Sequence, residues 1–191
     1  PMFASLAPRL ETVAPVTTLR LYGPDSETWP SIRRVTRELG RFAGRERQAE
    51  SLITRTEARI DRLADRLPAD NRPVVVIQFM DARHVRVFGE NGLYHAVLDR
   101  LGLENGWTGH TNRWGFALVG LEALAGLEGR LVVVHPYPVG VPRSLAESAL
   151  WRRLAEQSGG TVLEIDPVWS FGALPSAGRF AEQLVEALDA G

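Results

Sequence analysis

The sequence predicts an α/β fold, in which a mostly parallel sheet is covered by helices. Two runs, "RPVVVIQFM" and "GRLVVVHPYP", are rich in β-branched apolar residues and lack polar alternation, as is typical of strands buried on both faces. The segment "GTVLEIDP" is a weaker example of the same pattern. Helical segments separate these runs, and this alternation favours parallel pairing with functional loops at the carboxyl ends of the strands.

The first part of the chain combines a short helical stretch, residues 4–11, with a strand-like segment, residues 17–22. Neither segment has an upstream element to pack against. We therefore expect these residues to be the remnant of a domain whose first strands lie upstream of Pro1.

Two longer helices are expected next. Apolar residues at helical spacing predict the first over residues 30–42, with Ser26 or Thr28 as its N-cap. A second apolar stripe predicts a helix over residues 45–67, which would be about 34 Å long at 1.5 Å per residue. A helix of that length either bridges two lobes or lies along the surface of a single domain.

Apolar residues recur with helical spacing in further segments between and after the strands. These predicted helices cover residues 93–101, 119–127, 145–157 and 176–188. No internal repeat or low-complexity tract interrupts the pattern, so the alternation of strand and helix continues toward the end of the chain.

Composition and charge narrow the classes of function. With 191 residues, 45% of them hydrophobic and 24% charged, the chain has an ordinary globular composition. The formal net charge of -1 argues against nucleic acid as a partner. Because there are no cysteines, disulfides, thiolate metal sites and cysteine nucleophiles are excluded. No apolar run approaches the length of about 20 residues that a transmembrane helix needs.

Common enzyme motifs are absent: the sequence has no dinucleotide-binding glycine fingerprint, P-loop, zinc-protease helix motif or serine nucleophile elbow. The histidines lack the i,i+4 spacing that places two metal ligands on one helix face; they are His84, His95, His110 and His135. Asp81, Arg83 and His84 follow the first buried strand, where α/β proteins hold active sites, so hydrolysis or group transfer stays open as an alternative. We expect a protein that is not an enzyme and that holds no metal or cofactor of its own.

Several large aromatic side chains fall in loops rather than in the amphipathic helices. They are Trp107, Trp114, Trp169 and Phe171. Rings held on surface loops are suited to stacking on a ligand, and Arg86 and Arg113 would add planar cations for an anionic or oxygen-rich one. The alternatives are that the rings cap the rim of the sheet and that the arginines are solvated surface residues. The pattern predicts an aromatic cleft without identifying its ligand.

These aromatic residues lie in segments that resemble a known family. The motifs "VFGENGLY", "LGLENGW" followed by "TNRWG", and "VWSFGALPSA" are similar, in this order, to the C-terminal half of periplasmic ferric-siderophore binding proteins of ABC importers. The resemblance is strongest to the ferric-hydroxamate, or ferrichrome-type, members. It covers nearly all of the chain from Pro15 onward.

The resemblance implies a two-lobed class III substrate-binding protein, of which this chain holds the Rossmann-like C-terminal lobe and a long inter-lobe helix, with the N-terminal lobe largely missing. The implied division is residues 1–29 for a remnant of the N-terminal lobe, 30–67 for helices that include the inter-lobe helix, and 68–191 for the C-terminal α/β lobe. The implied location is the periplasm, or a lipid anchor outside the cytoplasmic membrane, with the export signal upstream of Pro1.

The function that the resemblance implies is to bind a ferric siderophore, with the hydroxamate type favoured, and to deliver it to the permease of an ABC importer in the inner membrane. By position, Trp114 matches the family tryptophan that stacks on the iron chelate, and Trp169 and Phe171 match an aromatic pair on the same wall. Trp107, Asn112 and Arg86 are secondary matches. A protein of the same fold for haem or a corrinoid is the alternative.

Two charged residues refine this expectation. Arg113 stands where the ferrichrome-type pattern has an aromatic residue, and its charge would favour an anionic catecholate or carboxylate complex over a neutral tris-hydroxamate. Glu122 stands where these binding proteins often carry an acidic residue that meets arginines of the permease. The negative charge of Glu122 would also be favourable simply because it lies near a helix N-terminus. The sequence does not separate this role from permease contact.

Overall fold

The computed structural model describes residues 4–23, 27–67 and 72–190. Its helices are α1 (Ala7–Glu11), α2 (Thr28–Phe42), α3 (Glu46–Ala64), α4 (Leu93–Leu101), α5 (Val141–Glu147), α6 (Ala149–Gln157) and α7 (Ala173–Ala190). Its strands are β1 (Val74–Phe79), β2 (His84–Phe88), β3 (Phe116–Gly120), β4 (Arg130–Val134) and β5 (Leu163–Ile165). Short 3-10 helices cover Ala4–Leu6 and Leu121–Leu124. The predicted α/β class is confirmed.

The strands form one mixed 5-stranded sheet in the order β3-β2-β1-β4-β5. The pairs β1–β4 and β4–β5 are parallel, whereas β1–β2 and β2–β3 are antiparallel. The prediction of a mostly parallel sheet is therefore wrong for the half that contains β2 and β3. Since the turn from β1 to β2 is too short for the crossover that a parallel pair needs, β2 runs back alongside β1.

Different helices bury the two faces of the sheet. On β1, Val74 and Val76 belong to a core shared with α3, α4 and α7, whereas Val75 and Ile77 belong to a core shared with α5, α6 and the second 3-10 helix. This alternation follows from the two-residue period of a strand. Because both faces are covered, the central strands read as continuous apolar runs.

The longest helix of the described residues is α3, with 19 residues and a length of about 28 Å. It begins one residue later and ends three residues earlier than the predicted helix over residues 45–67. It packs against α2, α4 and α7, and its buried residues recur at helical spacing; they are Ala49, Ile53, Thr56, Ile60 and Leu63. One stripe of this helix thus forms a wall of the larger core.

Two predictions near the start of the chain are wrong. Residues 17–22 form no strand among the described residues. Instead, Leu21 and Tyr22 pack against the core that the sheet shares with α3, α4 and α7. Thr28 begins α2 rather than capping it, and Glu27 occupies the N-cap without a side-chain cap bond. Ser26, the other predicted cap, lies outside the described residues, as does the predicted boundary at residue 68.

The predicted helix over residues 119–127 is also wrong, because β3 continues to Gly120 and only the short 3-10 helix follows. The predicted helix over residues 145–157 is interrupted at Ser148, whose ψ of 116° is extended. The Ser148 hydroxyl then caps α6 by accepting a hydrogen bond from the Trp151 N–H at 3.1 Å. The predicted helices over residues 93–101 and 176–188 are confirmed as α4 and the main part of α7.

Candidate ligand-binding site

Four rings from distant parts of the sequence meet in what we call the aromatic cluster, which consists of Tyr22, Trp114, Trp169 and Phe171. The ring of Phe171 is its centre, with centroid distances of 5.7 Å to Tyr22, 5.6 Å to Trp114 and 6.4 Å to Trp169. All three contacts are edge-to-face, an arrangement that aromatic pairs favour. Trp169 is 69% exposed and Trp114 is only partly buried, so ring surface remains open to solvent.

Trp114 sits on a tight turn that precedes β3. The Asn112 side-chain oxygen accepts a hydrogen bond from the Trp114 N–H at 2.8 Å, and the Asn112 carbonyl accepts one from Gly115 at 2.9 Å. The Asn112 N–H in turn donates to the Phe116 carbonyl at 2.9 Å. Asn112 therefore fixes the backbone that carries the indole, as an Asx turn does.

Glycines let this turn lie directly on the loop that leads into α4. Gly115 has a φ of +75°, and a Cβ built on it would lie 2.3 Å from the Cα of Gly92. The Gly115 carbonyl also accepts a hydrogen bond from the Gly89 N–H at 3.1 Å. The two glycine-containing motifs of the sequence thus pack backbone against backbone, which only glycine allows.

Trp169 and Phe171 lie in the loop that leaves the carboxyl end of β5. The Gly172 N–H donates to the Trp169 carbonyl at 3.1 Å and closes a turn around Phe171. The buried Tyr94 hydroxyl donates to the Val168 carbonyl at 2.6 Å and ties the same loop to α4. The side chains of this wall therefore stand on a loop held at both ends.

Tyr22 completes the cluster and was not predicted as a site residue. Its hydroxyl is buried and makes no hydrogen bond of normal geometry within the described residues. Burial is the main cause that raises the pKa of Tyr22 to about 12, while the nearby backbone N–H of Ala173 partly offsets this rise. A single tyrosine in an irregular segment carries no sequence signal that would assign it to the cluster.

Trp107 does not join the aromatic cluster. Its indole packs against the core on the α5–α6 side of the sheet, and its Nε1 is buried without a hydrogen-bond partner in the described residues. A Cβ built on Gly89 would lie 2.7 Å from Cδ1 of Trp107, and one built on Gly109 would lie 2.6 Å from Cζ2. Trp107 therefore supports the loop that carries Trp114 from below.

Two predicted site arginines lie next to the Trp114 turn. The guanidinium carbon of Arg86, on β2, is 5.0 Å from the ring centroid of Phe116, the first residue of β3. Arg113 directly precedes Trp114 in the chain and is exposed. Both cations are thus held close to the turn that carries Trp114.

Glu122 lies apart from the aromatic cluster. In the antiparallel β2–β3 pair, His84 faces Gly120 at one end and Phe88 faces Phe116 at the other. Glu122 follows the Gly120 end, is exposed, and holds its carboxylate against Gly120 in the first turn of the 3-10 helix. The cluster adjoins the opposite end of the pair.

The polar residues after β1 form a turn. One carboxylate oxygen of Asp81 accepts hydrogen bonds from the backbone N–H groups of Arg83 at 2.7 Å and His84 at 2.8 Å, and the His84 ring also contacts it at 3.1 Å. The Arg83 N–H is the main cause that lowers the pKa of Asp81, followed by the His84 ring. Asp81 is thus engaged in holding the β1–β2 turn.

In the described part of the chain, no group of three or more His, Asp or Glu side chains is arranged to hold a metal ion. The His135 ring pairs with Glu164 at 2.8 Å, and His95 lies 3.5 Å from Asp99. None of the helices within the described ranges has the length and apolar character that a membrane span requires.

A family model for periplasmic binding proteins matches residues 13–156, which is most of the 191-residue chain. The chain belongs to the periplasmic binding protein family. Among curated proteins of this kind, the iron(3+)-hydroxamate-binding protein FhuD of Escherichia coli (strain K12) is 31% identical over 118 residues. The aligned region covers 61% of this chain and 40% of FhuD, so the chain spans less than half the length of that relative.

Solved structures of siderophore-binding proteins share the fold. FhuD from Vibrio cholerae bound to Fe3+-Desferal has a TM-score of 0.89 and 25% identity, over 98% of this chain and 72% of that one. The periplasmic catecholate-siderophore binding protein VctP from Vibrio cholerae has a TM-score of 0.71 and 18% identity, over 100% and 70% of the two chains. The predicted class III fold and the resemblance to siderophore-binding proteins are confirmed, and these relatives are named as binding proteins rather than as enzymes.

Proposed function

We propose that this periplasmic binding protein captures a ferric siderophore, with the hydroxamate type favoured, and delivers it to the permease of an ABC importer. The observation that carries the proposal is the aromatic cluster, in which Trp114, Trp169 and Phe171 meet on two anchored loops with ring surface open to solvent. The names of the two FhuD relatives support the ligand class, because both bind iron hydroxamates.

Binding would break no covalent bond. The apolar parts of the chelator would leave water and stack on the indoles, and each large ring can bury about 150–250 Å². The iron would keep its chelator oxygens, since no cluster of metal ligands is present among the described residues. The protein would act as a rigid surface that selects the shape and charge of the whole complex.

The division of the chain belongs to the same proposal. Residues 68–191 would form the C-terminal lobe, residues 30–67 would contain α3 as the inter-lobe helix, and residues 1–29 would belong to the N-terminal lobe. The exposed Glu122, which lies away from the aromatic cluster, would contact the permease. Such a division would leave the cluster facing the other lobe and the acidic side chain free to dock.

Titration of the full-length protein with ferrichrome and with Fe3+-Desferal tests this function, with tryptophan fluorescence as the signal. We expect saturable quenching by the iron complexes and weaker quenching by the iron-free chelators. Haem and cobalamin are the comparison ligands. A protein that binds haem or a corrinoid would keep that ligand through gel filtration, so the sharp visible absorption bands of the ligand would elute with the protein. Retention of haem or cobalamin, with no response to any ferric siderophore, would contradict the proposal.

A further inference from the structure

We propose that the ligand is a ferric complex with net negative charge, in which a carboxylate beside the chelating groups binds Arg86. This inference rests on the proposed function and adds a chemical class to it, a ferric hydroxamate whose scaffold also carries a free carboxylate. Arg86 is then the residue that selects for charge.

The first step is where β2 places Arg86. Val85 and Val87 belong to the core on the α5–α6 side, so Arg86 projects from the opposite face, which it shares with Phe88. Its cross-strand partner on β3 is Leu118, which is 62% exposed. Helices bury Phe88 on this face but leave the position of Arg86 and Leu118 uncovered.

The second step is that Arg86 has no counter-ion. It is partly buried and lies over the Phe116 ring, yet no carboxylate within the described residues forms an ion pair with it. Arg100 provides the contrast, since its guanidinium carbon also lies over a ring, that of Trp29, at 4.8 Å. Arg100 nevertheless pairs with Asp61 at 2.6 Å. A partly buried cation without a partner favours an anion brought by a ligand.

The third step is continuity with the aromatic cluster. Phe116, which Arg86 covers, is bonded through Gly115 to Trp114, and the ring of Trp114 contacts Phe171. Arg113 adds a second cation on the same turn, and it also lacks an ion pair among the residues described. A ligand stacked on Trp114 would thus meet two uncompensated positive charges at one side.

The chemistry of guanidinium selects the anion. Its planar donors match a carboxylate with two parallel hydrogen bonds, and the guanidinium carbon lies over the Phe116 ring, 5.0 Å from its centroid. A neutral tris-hydroxamate offers no group of this charge, and a free ammonium on the complex would weaken its binding. The site should therefore rank ferric hydroxamates by charge as well as by shape.

Three iron complexes test the ranking on the full-length protein: ferric aerobactin, a citrate-based dihydroxamate whose two lysine carboxylates do not bind the iron; ferrichrome, which is neutral; and Fe3+-Desferal, which carries an ammonium. We expect the anionic complex to bind at least about tenfold more tightly than ferrichrome at low salt, and Fe3+-Desferal to bind most weakly. Added salt should reduce these differences in affinity. In the Arg86→Gln variant, affinity for ferric aerobactin should fall about ten- to hundredfold, with less than about threefold change for ferrichrome.

Two further variants sharpen the result. Arg86→Lys should recover part of the lost affinity, because it keeps the charge but not the planar fork. Arg143→Gln is the matched control, since it removes an equal charge from a side chain on α5 that is 90% exposed, and it should leave the ranking unchanged. Equal losses for the anionic and neutral complexes in Arg86→Gln would show a structural role and overturn the inference, as would no loss at all. If the wild-type protein binds all three complexes equally, charge selection fails while the proposed function stands; if it binds none, both fail.

Discussion

The Trp114 indole lies edge-on to the ring of Phe171, with 5.6 Å between the centroids and 78° between the planes. One ring comes from a turn before β3 and the other from the loop after β5, the two strands at opposite edges of the sheet. The contact joins the two loops into a single surface. We expect that surface to behave as one unit in ligand binding.

Replacing Trp114 with alanine should weaken ferric siderophore binding by about tenfold or more, because it removes one stacking face from the cluster. The free energy of unfolding should change little, since the indole is only partly buried. Trp151→Phe is the control, as that indole packs on Phe79 on the other side of the sheet and should not affect affinity. Unchanged siderophore affinity in Trp114→Ala, measured by calorimetric titration, would remove this residue from the site.

Replacing Trp107 should reduce the stability of the fold, whereas replacing Trp169 should reduce siderophore affinity. Trp107→Ala should lower the free energy of unfolding by about 3 kcal/mol, because the indole fills space beneath Gly89 and Gly109. Trp169→Ala should change it by less than about 0.5 kcal/mol, since that side chain is 69% exposed, yet it should weaken siderophore binding. Urea unfolding of both variants, followed by circular dichroism, checks the comparison. A larger loss of stability in Trp169→Ala than in Trp107→Ala would show that their places are misassigned.

Gly115→Ala should destabilise the turn that carries Trp114. Both the φ of +75° and the collision of a Cβ with the Gly92 backbone oppose the substitution, so we expect a cost of about 2–4 kcal/mol. Gly126→Ala is the matched control, because Gly126 has a φ of +86° but no atom within 4 Å of the added carbon, and about 1 kcal/mol is expected. Chemical denaturation of the pair separates the steric contribution from backbone strain. Equal costs would mean that the close approach of Gly115 and Gly92 contributes nothing.

Ionisation of Tyr22 should affect stability only in alkaline solution. Burial raises the pKa of its hydroxyl from 10.0 to about 12, so the folded state keeps the proton over a range in which the unfolded state loses it. The stabilisation of the protonated form is complete below pH 10 and is lost as the pH rises toward 12. Tyr22→Phe should therefore lose less stability over this range, by about 1–2 kcal/mol, as measured by urea unfolding at several pH values. Parallel pH profiles for the variant and the wild type would contradict the burial of this hydroxyl.

Much of the fold could be predicted because its strongest elements carry local signals. The buried strands β1 and β4 are continuous apolar runs, and α3 carries a long apolar stripe. β2 was missed because His84 and Arg86 interrupt its apolar residues, and the end of β3 was missed because Leu121, Leu124 and Leu127 keep the three-residue spacing of a helix. Their antiparallel pairing depends on a short turn and on partners far along the chain, which residue periodicity does not encode.

The aromatic side chains of the site could be named from the sequence, but their arrangement could not. Trp114, Trp169 and Phe171 stand in loops beside glycine and proline, and this placement indicated their exposure. The sequence did not separate Trp107 from them, because a tryptophan that supports a loop and one that faces solvent have the same neighbours. Tyr22 joins the cluster only through tertiary packing on Phe171.

A crystal structure of the full-length protein with a bound ferric hydroxamate is the most direct measurement of the central claim. We predict that the chelate lies in van der Waals contact with the rings of Trp114 and Phe171, within about 4 Å, with Trp169 at its edge. A chelate bound elsewhere, with the aromatic cluster covered by protein or facing empty solvent, would contradict the account.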